Sequence, residues 1–193
     1  MQIFQTRNEL NQIIKFNSQP TIAEIGIFEC AYSKKLYEMF KPKEMHLFDC
    51  LRTLDEPCSA DENGNNGKRT TGELLYWNAM NCFKDSSNVV IHEGFSNKTL
   101  PKINNEFFDL IYVDADHSFE GCYSDLNLAY DKTKKFGWIA GHDFALNRSK
   151  CDFEYYFDTG VQNAVNRFCN EKNLKINALF LDGCISFAIQ KTN

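Results

Sequence analysis

Apolar segments of strand length alternate with amphipathic segments of helical spacing along most of the chain. Five strand segments alternate with helices, and two more close the chain around Asp182-Gly183, a two-residue hairpin signal. The predicted strands are residues 21–27, 45–48, 89–91, 109–113, 136–140, 178–181 and 184–189. Strands that alternate with helices pair in parallel, because each helix returns the chain across the sheet. The pattern therefore predicts an α/β fold with a doubly wound, mostly parallel sheet and a C-terminal antiparallel hairpin.

Length, charge and cysteine usage restrict the class of protein further. The 193 residues fit one domain, 1–193, in which the polar, Gly-rich segment 51–69 is expected to be a long loop. The net charge of −5 disfavours nucleic acid as a partner, since nucleic-acid binders usually carry a basic face. Without a stretch of about 18 apolar residues, no membrane segment is predicted. The eight cysteines include no Cys-x-x-Cys pair, which favours reduced thiols in a cytoplasmic protein over a zinc ribbon.

The residues that follow the first three strands are candidates for binding a ligand, because ligands of doubly wound sheets lie beyond the carboxyl ends of the strands. Gly26 follows the first strand, where it either lets the backbone approach a ligand or merely turns tightly. Asp49 follows the second strand, about 20 residues later, at a spacing that suits hydrogen bonds to a ribose diol. The alternative for Asp49 is a surface carboxylate that begins a loop. Gly94, Phe95 and Ser96 follow the third strand and could line an adenine.

Acidic residues and histidines follow the fourth and fifth strands. Asp114 ends one strand and Asp143 ends the next, so the two carboxylates converge if their strands are neighbours. Two carboxylates this close repel each other unless a proton or a cation lies between them. Together with the imidazole of His142, they would suit Mg²⁺ or Mn²⁺. The alternatives are that Asp114 caps a helix, that His142 is satisfied near the core and that Asp143 is a loop carboxylate; Ser118 is predicted to be the N-cap of the next helix.

Three segments of the chain carry a resemblance to a known family. The segment EIGIFEC at 24–30 resembles the ExGxxxG motif of class I S-adenosylmethionine-dependent methyltransferases. FDLIYVDADHSFEG at 108–121 is similar to the FDLIYIDGDHSYEG segment of family 24 of this class, and FGWIAGHDF at 136–144 resembles its GGxxAGHDY segment. The resemblance implies a Rossmann-like sheet of seven strands in the order 3-2-1-4-5-7-6, with the last hairpin strand antiparallel.

The resemblance also implies a role for each matching residue. The cofactor-binding residues would be Glu24, Gly26, Tyr32 and Ser33 at the methionine end, Asp49 at the ribose, Gly94, Phe95 and Ser96 near the adenine, and Asp114. Asp114, His142 and Asp143 match the positions at which the related catechol and macrocin O-methyltransferases bind Mg²⁺. His117 falls where the catechol enzyme has its catalytic lysine, so His117, Asp114 and His142 would form the catalytic group.

Two residues depart from the family pattern. Cys30 stands where the motif has its second glycine, which would put a side chain where the backbone nears the cofactor. His142 stands where many metal-dependent relatives carry a carboxylate.

The expected function is S-adenosylmethionine-dependent methylation of an oxygen on a small molecule, such as a sugar or polyol. Its partners would be the small-molecule acceptor and Mg²⁺ or Mn²⁺. The sequence leaves open whether the protein forms a homo-oligomer. One alternative is a non-catalytic cofactor-binding module of the same fold, which Cys30 favours. The other is a nicotinamide-dependent oxidoreductase, which the missing GxGxxG motif disfavours.

Overall fold

Eight strands form one sheet in the computed structural model, which describes residues 1–53, 71–147 and 160–192. The strands are β1 Gln2–Phe4, β2 Thr21–Ile25, β3 Glu44–Asp49, β4 Val89–Glu93, β5 Phe108–Val113, β6 Thr133–Leu146, β7 Ile176–Phe180 and β8 Cys184–Gln190. Their order is β1-β7-β8-β6-β5-β2-β3-β4. Only β8 pairs antiparallel among these strands, with β6 on one side and β7 on the other. The predicted fold class and the predicted order of seven strands are both confirmed.

Strand β1 is the element that the sequence pattern missed. It pairs in parallel with β7, with Ile3 opposite Leu179, and adds an eighth strand at the edge of the sheet. A strand of three residues is too short to show an alternating pattern, so periodicity could not reveal it. Because β1 pairs in parallel with β7, it brings the residues that follow Phe4 next to the carboxyl end of β7.

Helices cover both faces of the sheet. They are α1 Leu10–Ile13, α2 Ala31–Phe40, α3 Gly72–Cys82, α4 Ser96–Thr99, α5 Phe119–Lys132 and α6 Gly160–Lys172. Buried residues of α1, α2 and α3 pack with Ile22, Met45 and Tyr112 in one core cluster. Buried residues of α5 and α6 pack with Ile25 and Ile111 in a second cluster. The α/β layering follows from this two-sided burial of the central strands.

The helix limits confirm some local predictions and adjust others. Ser118 is the N-cap of α5, and its Oγ accepts a hydrogen bond from the N–H of Gly121, as predicted. The sequence pattern predicts a short helix over residues 9–16, whereas the structure has a 3-10 turn at Arg7–Glu9 followed by the short α1. Of the predicted loop 51–69, residues 51–53 form a 3-10 turn and residues 54–69 lie outside the described ranges.

Two observations concern the cysteines and the membrane. Six cysteines lie within the described residues, with no disulfide between any two of them; Cys58 and Cys151 lie outside these residues. In the described parts of the chain, none of the helices combines the length and apolar character needed to span a bilayer.

Candidate functional site

Two adjoining cavities open at the carboxyl edge of the parallel strands. The large cavity has a volume of about 610 Å³ and lies between the turns after β2, β3, β4 and β5. The small cavity has a volume of about 450 Å³ and lies between the turn after β2, the start of α2 and the turn after β5. They share Gly26, Phe28, Asp114 and Ala115, so a single elongated ligand could occupy both. This is the edge at which doubly wound sheets bind their ligands.

The turn after β2 requires glycine at position 26. Gly26 has a φ of +85°, and a Cβ atom there would lie 2.1 Å from the backbone oxygen of Asp114. The N–H of Gly26 donates to the carbonyl of Phe48 across the sheet. Gly26 therefore lets the turn after β2 pack against the turn after β5, and this contact brings the two cavities together.

Cys30 occupies the position of the second motif glycine in a different way from that expected. It has a φ of +61° as the N-cap of α2, so its backbone takes the left-handed conformation that favours glycine. Its side chain is fully buried in the core cluster with Leu36, and Cys30 lines neither cavity, although Leu75 and Tyr32 of the same cluster do. The side chain therefore lies in the core, and the effect of Cys30 on cofactor binding stays a prediction.

Asp49 lies in the large cavity and holds the turn after β2. Its Oδ2 accepts hydrogen bonds from the N–H groups of Ile27 at 2.8 Å and Phe28 at 3.1 Å. Its Oδ1 accepts one from the N–H of Leu51 at 3.1 Å. Oδ1 also accepts a bond from Sγ of Cys50 at 3.4 Å, so each oxygen already accepts two bonds and a ribose hydroxyl would have to replace one of them; binding of a ribose by Asp49 stays a prediction.

Phe95 and Ser96, which follow β4, line the large cavity together with Asp125, a residue that the sequence analysis missed. Phe95 is exposed beside the cavity, and Gly94 turns the chain toward it with a φ of +130°. Ser96 Oγ donates to Oδ1 of Asp125 at 2.5 Å. Asp125 lies on α5 and lines the cavity, and burial raises the pKa of its carboxyl to about 6. No motif pointed to Asp125, because only the packing of α5 on the sheet brings it to Ser96.

Glu24 is a buried carboxyl at the base of the small cavity. It lies in β2, is 2% exposed and lines the cavity, yet its Oε2 has no hydrogen-bond partner among the described residues. Burial raises the pKa of Glu24 to about 8, and the nearby hydroxyl of Ser33 opposes this rise. The Ser33 contact lacks full hydrogen-bond geometry among the described residues, since Ser33 Oγ is also without a partner there. A buried, unsatisfied acceptor beside a cavity fits a ligand that supplies a donor or a positive charge.

Four side chains converge where β5 and β6 end. Nε2 of His117 lies 3.1 Å from Oδ2 of Asp143 and 3.8 Å from Oδ1 of Asp114. Nδ1 of His142 lies 3.0 Å from the same Asp143 oxygen and 3.7 Å from Asp114. The expected convergence of the two carboxylates follows from the parallel pairing of β5 with β6. The histidines therefore lie between two carboxylates that would otherwise repel each other.

The charges of this cluster shift the pKa values of its members. The pKa of His117 is raised, first by its hydrogen bond to Asp114 and also by the charge of Asp143. Burial alone would raise the pKa of Asp143, but the hydrogen bond and charge of His142 and the charge of His117 lower it to about 2. Asp143 is therefore ionised near neutral pH, and His117 holds its proton more strongly than a free histidine does.

The donor set of this cluster fits a divalent cation. Asp114, His117 and Asp143 each offer one ligand atom, and these atoms lie within 4.8 Å of one another. His142, expected as a ligand, contacts both carboxylates, and the structure adds His117, expected as the base, to the set. Two carboxylate oxygens with an imidazole nitrogen suit Mn²⁺ or a similar ion better than Mg²⁺, which prefers oxygen ligands alone.

Arg7 is a second residue that the sequence analysis missed. It follows β1, and its Nη1 lies 3.4 Å from both Tyr112 Oη and Asp114 Oδ2. Its guanidinium carbon lies 4.2 Å from the ring centroid of Tyr32, another residue of the small cavity. The available sequence signal was Thr6 followed by Glu9, a capping box that marks an ordered turn around Arg7.

A doubly wound sheet with two joined cavities at its carboxyl edge defines a class of Rossmann-like, cofactor-binding enzyme. The family model of methyltransferase family 24, described as a methyltransferase domain, matches residues 7–144. The chain therefore belongs to this family, the class I S-adenosylmethionine-dependent methyltransferases of family 24. Membership of a methyltransferase family removes the support for the nicotinamide alternative. A search of curated protein sequences finds no match.

Solved structures show the same fold at low sequence identity. The O-methyltransferase NovP is 15% identical, with a TM-score of 0.63, and the match covers 96% of this chain and 76% of NovP. The N-methyltransferase NodS from Bradyrhizobium japonicum WM9 is 13% identical, with a TM-score of 0.60 over 97% of this chain and 92% of NodS. Fibrillarin from Aeropyrum pernix, with natively bound S-adenosylmethionine, is 12% identical, with a TM-score of 0.62 over 93% of this chain and 71% of that one.

Proposed function

We propose that this methyltransferase transfers the methyl group of S-adenosylmethionine to an oxygen of a small molecule, such as a sugar or other polyol. The observation that carries the proposal is the convergence of His117, His142, Asp114 and Asp143, a cluster in which Asp114 lines both cavities and His117 lines the small one. These groups can bind and deprotonate a hydroxyl, which methyl transfer to oxygen requires and which a neutral amine acceptor does not.

The two cavities provide separate places for the two halves of the cofactor. Adenosine is expected in the large cavity, with Asp49 at the ribose and Phe95 and Ser96 at the adenine. The amino-acid half is expected in the small cavity, where Glu24 faces its ammonium group. Asp114 lines both cavities, so the sulfonium between the two halves would lie near the cluster.

His117 is the expected general base. Its side chain is about half exposed, so an acceptor hydroxyl can reach it, and Nε2 already faces Asp143. The hydroxyl proton passes to Nδ1 of His117, the ring nitrogen that is not turned to Asp143, as the oxygen attacks the methyl carbon, and S-adenosylhomocysteine leaves with the electron pair of the broken C–S bond. Because its pKa is raised, His117 must first lose a proton, so activity should rise with pH above the ordinary histidine value of about 6.5.

A divalent cation fits the same cluster and would be held by Asp114, Asp143 and His142, so that His117 stays available as the base. When bound, it would lower the pKa of the acceptor hydroxyl. It would also replace the proton of His117 as the charge between the two carboxylates, which leaves the imidazole neutral. We therefore propose that Mn²⁺ binds to this cluster and that Mg²⁺ binds there more weakly.

The proposal is tested by incubating the protein with S-adenosylmethionine and a panel of sugars, polyols, catechols and amines. S-Adenosylhomocysteine and the methylated product are measured by mass spectrometry, with Mn²⁺, with Mg²⁺ and with excess chelator. Methyl ethers, formed by the wild type and strongly reduced by His117→Asn but not by the exposed-surface control Arg167→Gln, would support the proposal. Methylation of amines alone would contradict it, and cofactor binding without any turnover would favour the non-catalytic module.

A further inference from the structure

The N-terminal turn that carries Arg7 is tied to the sheet and to α2. Ahead of it, β1 pairs with β7, and the carbonyl of Phe4 accepts a hydrogen bond from the N–H of Leu181. The N–H of Arg7 donates to Oδ2 of Asp182 at 2.7 Å, and its carbonyl accepts a bond from the hydroxyl of Tyr32 at 3.0 Å. The backbone of Arg7 is therefore held from two sides, which limits where its side chain can go.

The guanidinium of Arg7 lies at the small cavity with unused donors. It carries five N–H donors, and only Nη1 makes hydrogen bonds among the described residues, both of them long at 3.4 Å. The side chain is 26% exposed and lines the cavity, so its remaining N–H groups can reach a ligand. A guanidinium offers two parallel N–H groups, which match the two oxygens of a carboxylate.

The small cavity has a buried carboxyl and a guanidinium that come from different elements, β2 and the turn after β1. Glu24 offers an unpartnered buried oxygen within the described chain, and Arg7 offers a positive fork. The first residues of α2, Ala31 and Tyr32, also line the cavity, and the N-terminus of a helix favours a negative group. A ligand that carries an ammonium and a carboxylate on one carbon matches this arrangement.

We propose that Arg7 binds the α-carboxylate of the amino-acid half of S-adenosylmethionine, and that β1 holds it in place. The inference rests on the proposed function, because it requires this cofactor in the two cavities. Arg7 would then distinguish S-adenosylmethionine from ligands that lack this carboxylate, and β1 would position Arg7 for the contact.

The test compares two ligands that differ only in this carboxylate. S-Adenosylmethionine and decarboxylated S-adenosylmethionine are titrated by calorimetry into the full chain and into Arg7→Gln. The wild type should bind S-adenosylmethionine at least about tenfold more tightly than the decarboxylated ligand. Arg7→Gln should lose about tenfold or more in affinity for S-adenosylmethionine while its affinity for the decarboxylated ligand changes by less than about twofold.

The controls separate this role from a structural one. Arg7→Lys keeps the charge but not the fork and should show an intermediate loss, and Arg167→Gln should bind both ligands as the wild type does. If Arg7→Gln loses the same factor for both ligands, or if the wild type does not distinguish them, the proposal for Arg7 is wrong while the proposed function stands. If Arg7→Gln does not fold, the proposal is decided by how the wild type and Arg7→Lys each discriminate between S-adenosylmethionine and the decarboxylated ligand. A wild type that binds neither ligand contradicts the proposed function, and this inference with it.

Discussion

Glu24 allows a direct test of whether a residue that lowers the stability of the free protein strengthens its binding of the cofactor. The pKa of its buried carboxyl is raised to about 8 in the folded protein, whereas an unfolded glutamate titrates near 4.5. The unfolded chain therefore loses this proton first as pH rises, and the free energy of unfolding falls between pH 4.5 and pH 8. One pKa unit corresponds to about 1.4 kcal/mol, so the full penalty is on the order of 3–5 kcal/mol above pH 8.

Glu24→Gln removes this penalty, because glutamine does not ionise. We expect the variant and the wild type to have similar stabilities at pH 4.5, with the variant becoming more stable as pH rises toward 8. The assay is urea denaturation without ligand at several pH values between 4.5 and 9, with the difference between the two proteins as the quantity of interest. The exposed residue Glu38 provides a matched control, since Glu38→Gln should leave the pH dependence unchanged.

The same substitution should weaken cofactor binding. A neutral amide replaces the carboxylate that faces the ammonium group, so S-adenosylmethionine should bind about tenfold or more weakly to Glu24→Gln at pH 8. Wild-type binding near neutral pH should release a proton, which calorimetry in buffers of different ionisation enthalpy measures. A stability difference that does not change with pH would refute the reasoning, because it would mean that Glu24 is already ionised in the free protein.

Four further predictions concern the site. The kcat of the wild type should rise with pH through a value above 6.5, and His117→Asn should remove this limb while leaving cofactor affinity within about twofold; a limb that survives in His117→Asn would assign it to another group. Excess chelator should abolish turnover and Mn²⁺ should restore it, and Asp143→Asn should lower activity far more than thermal stability; turnover that persists in chelator would exclude the cation. Gly26→Ala should lower stability by more than about 3 kcal/mol in denaturation, because its Cβ would lie 2.1 Å from a backbone oxygen; a near-native stability would show that the turns can separate. Cys30→Gly should leave cofactor affinity unchanged by calorimetry, because the thiol packs in the core; a large loss would place the side chain at the cofactor.

Much of the fold could be predicted from local pattern alone. Periodicity and the Asp182-Gly183 turn predicted seven strands and a C-terminal hairpin, and the observed order of these strands agrees with the one that the family resemblance implied. The N-cap at Ser118 was also predictable, since a cap depends on residues within one helical turn. The positions of Asp49, Asp114 and Asp143 at strand ends followed from the strand assignments, because ligands of such sheets lie at that edge.

Local pattern thus predicted seven of the eight strands and the residues that follow them, because short-range periodicity and turn signals are written in neighbouring residues, while the order of the strands came from the resemblance to the family. Only the folded structure showed which distant side chains meet: Arg7 with Asp114, Ser96 with Asp125, and His117 between two carboxylates. It also decided that Cys30 faces the core. Such contacts join residues far apart in the chain, and they depend on strand pairing and on the backbone conformation at single residues, neither of which leaves a periodic trace in the sequence.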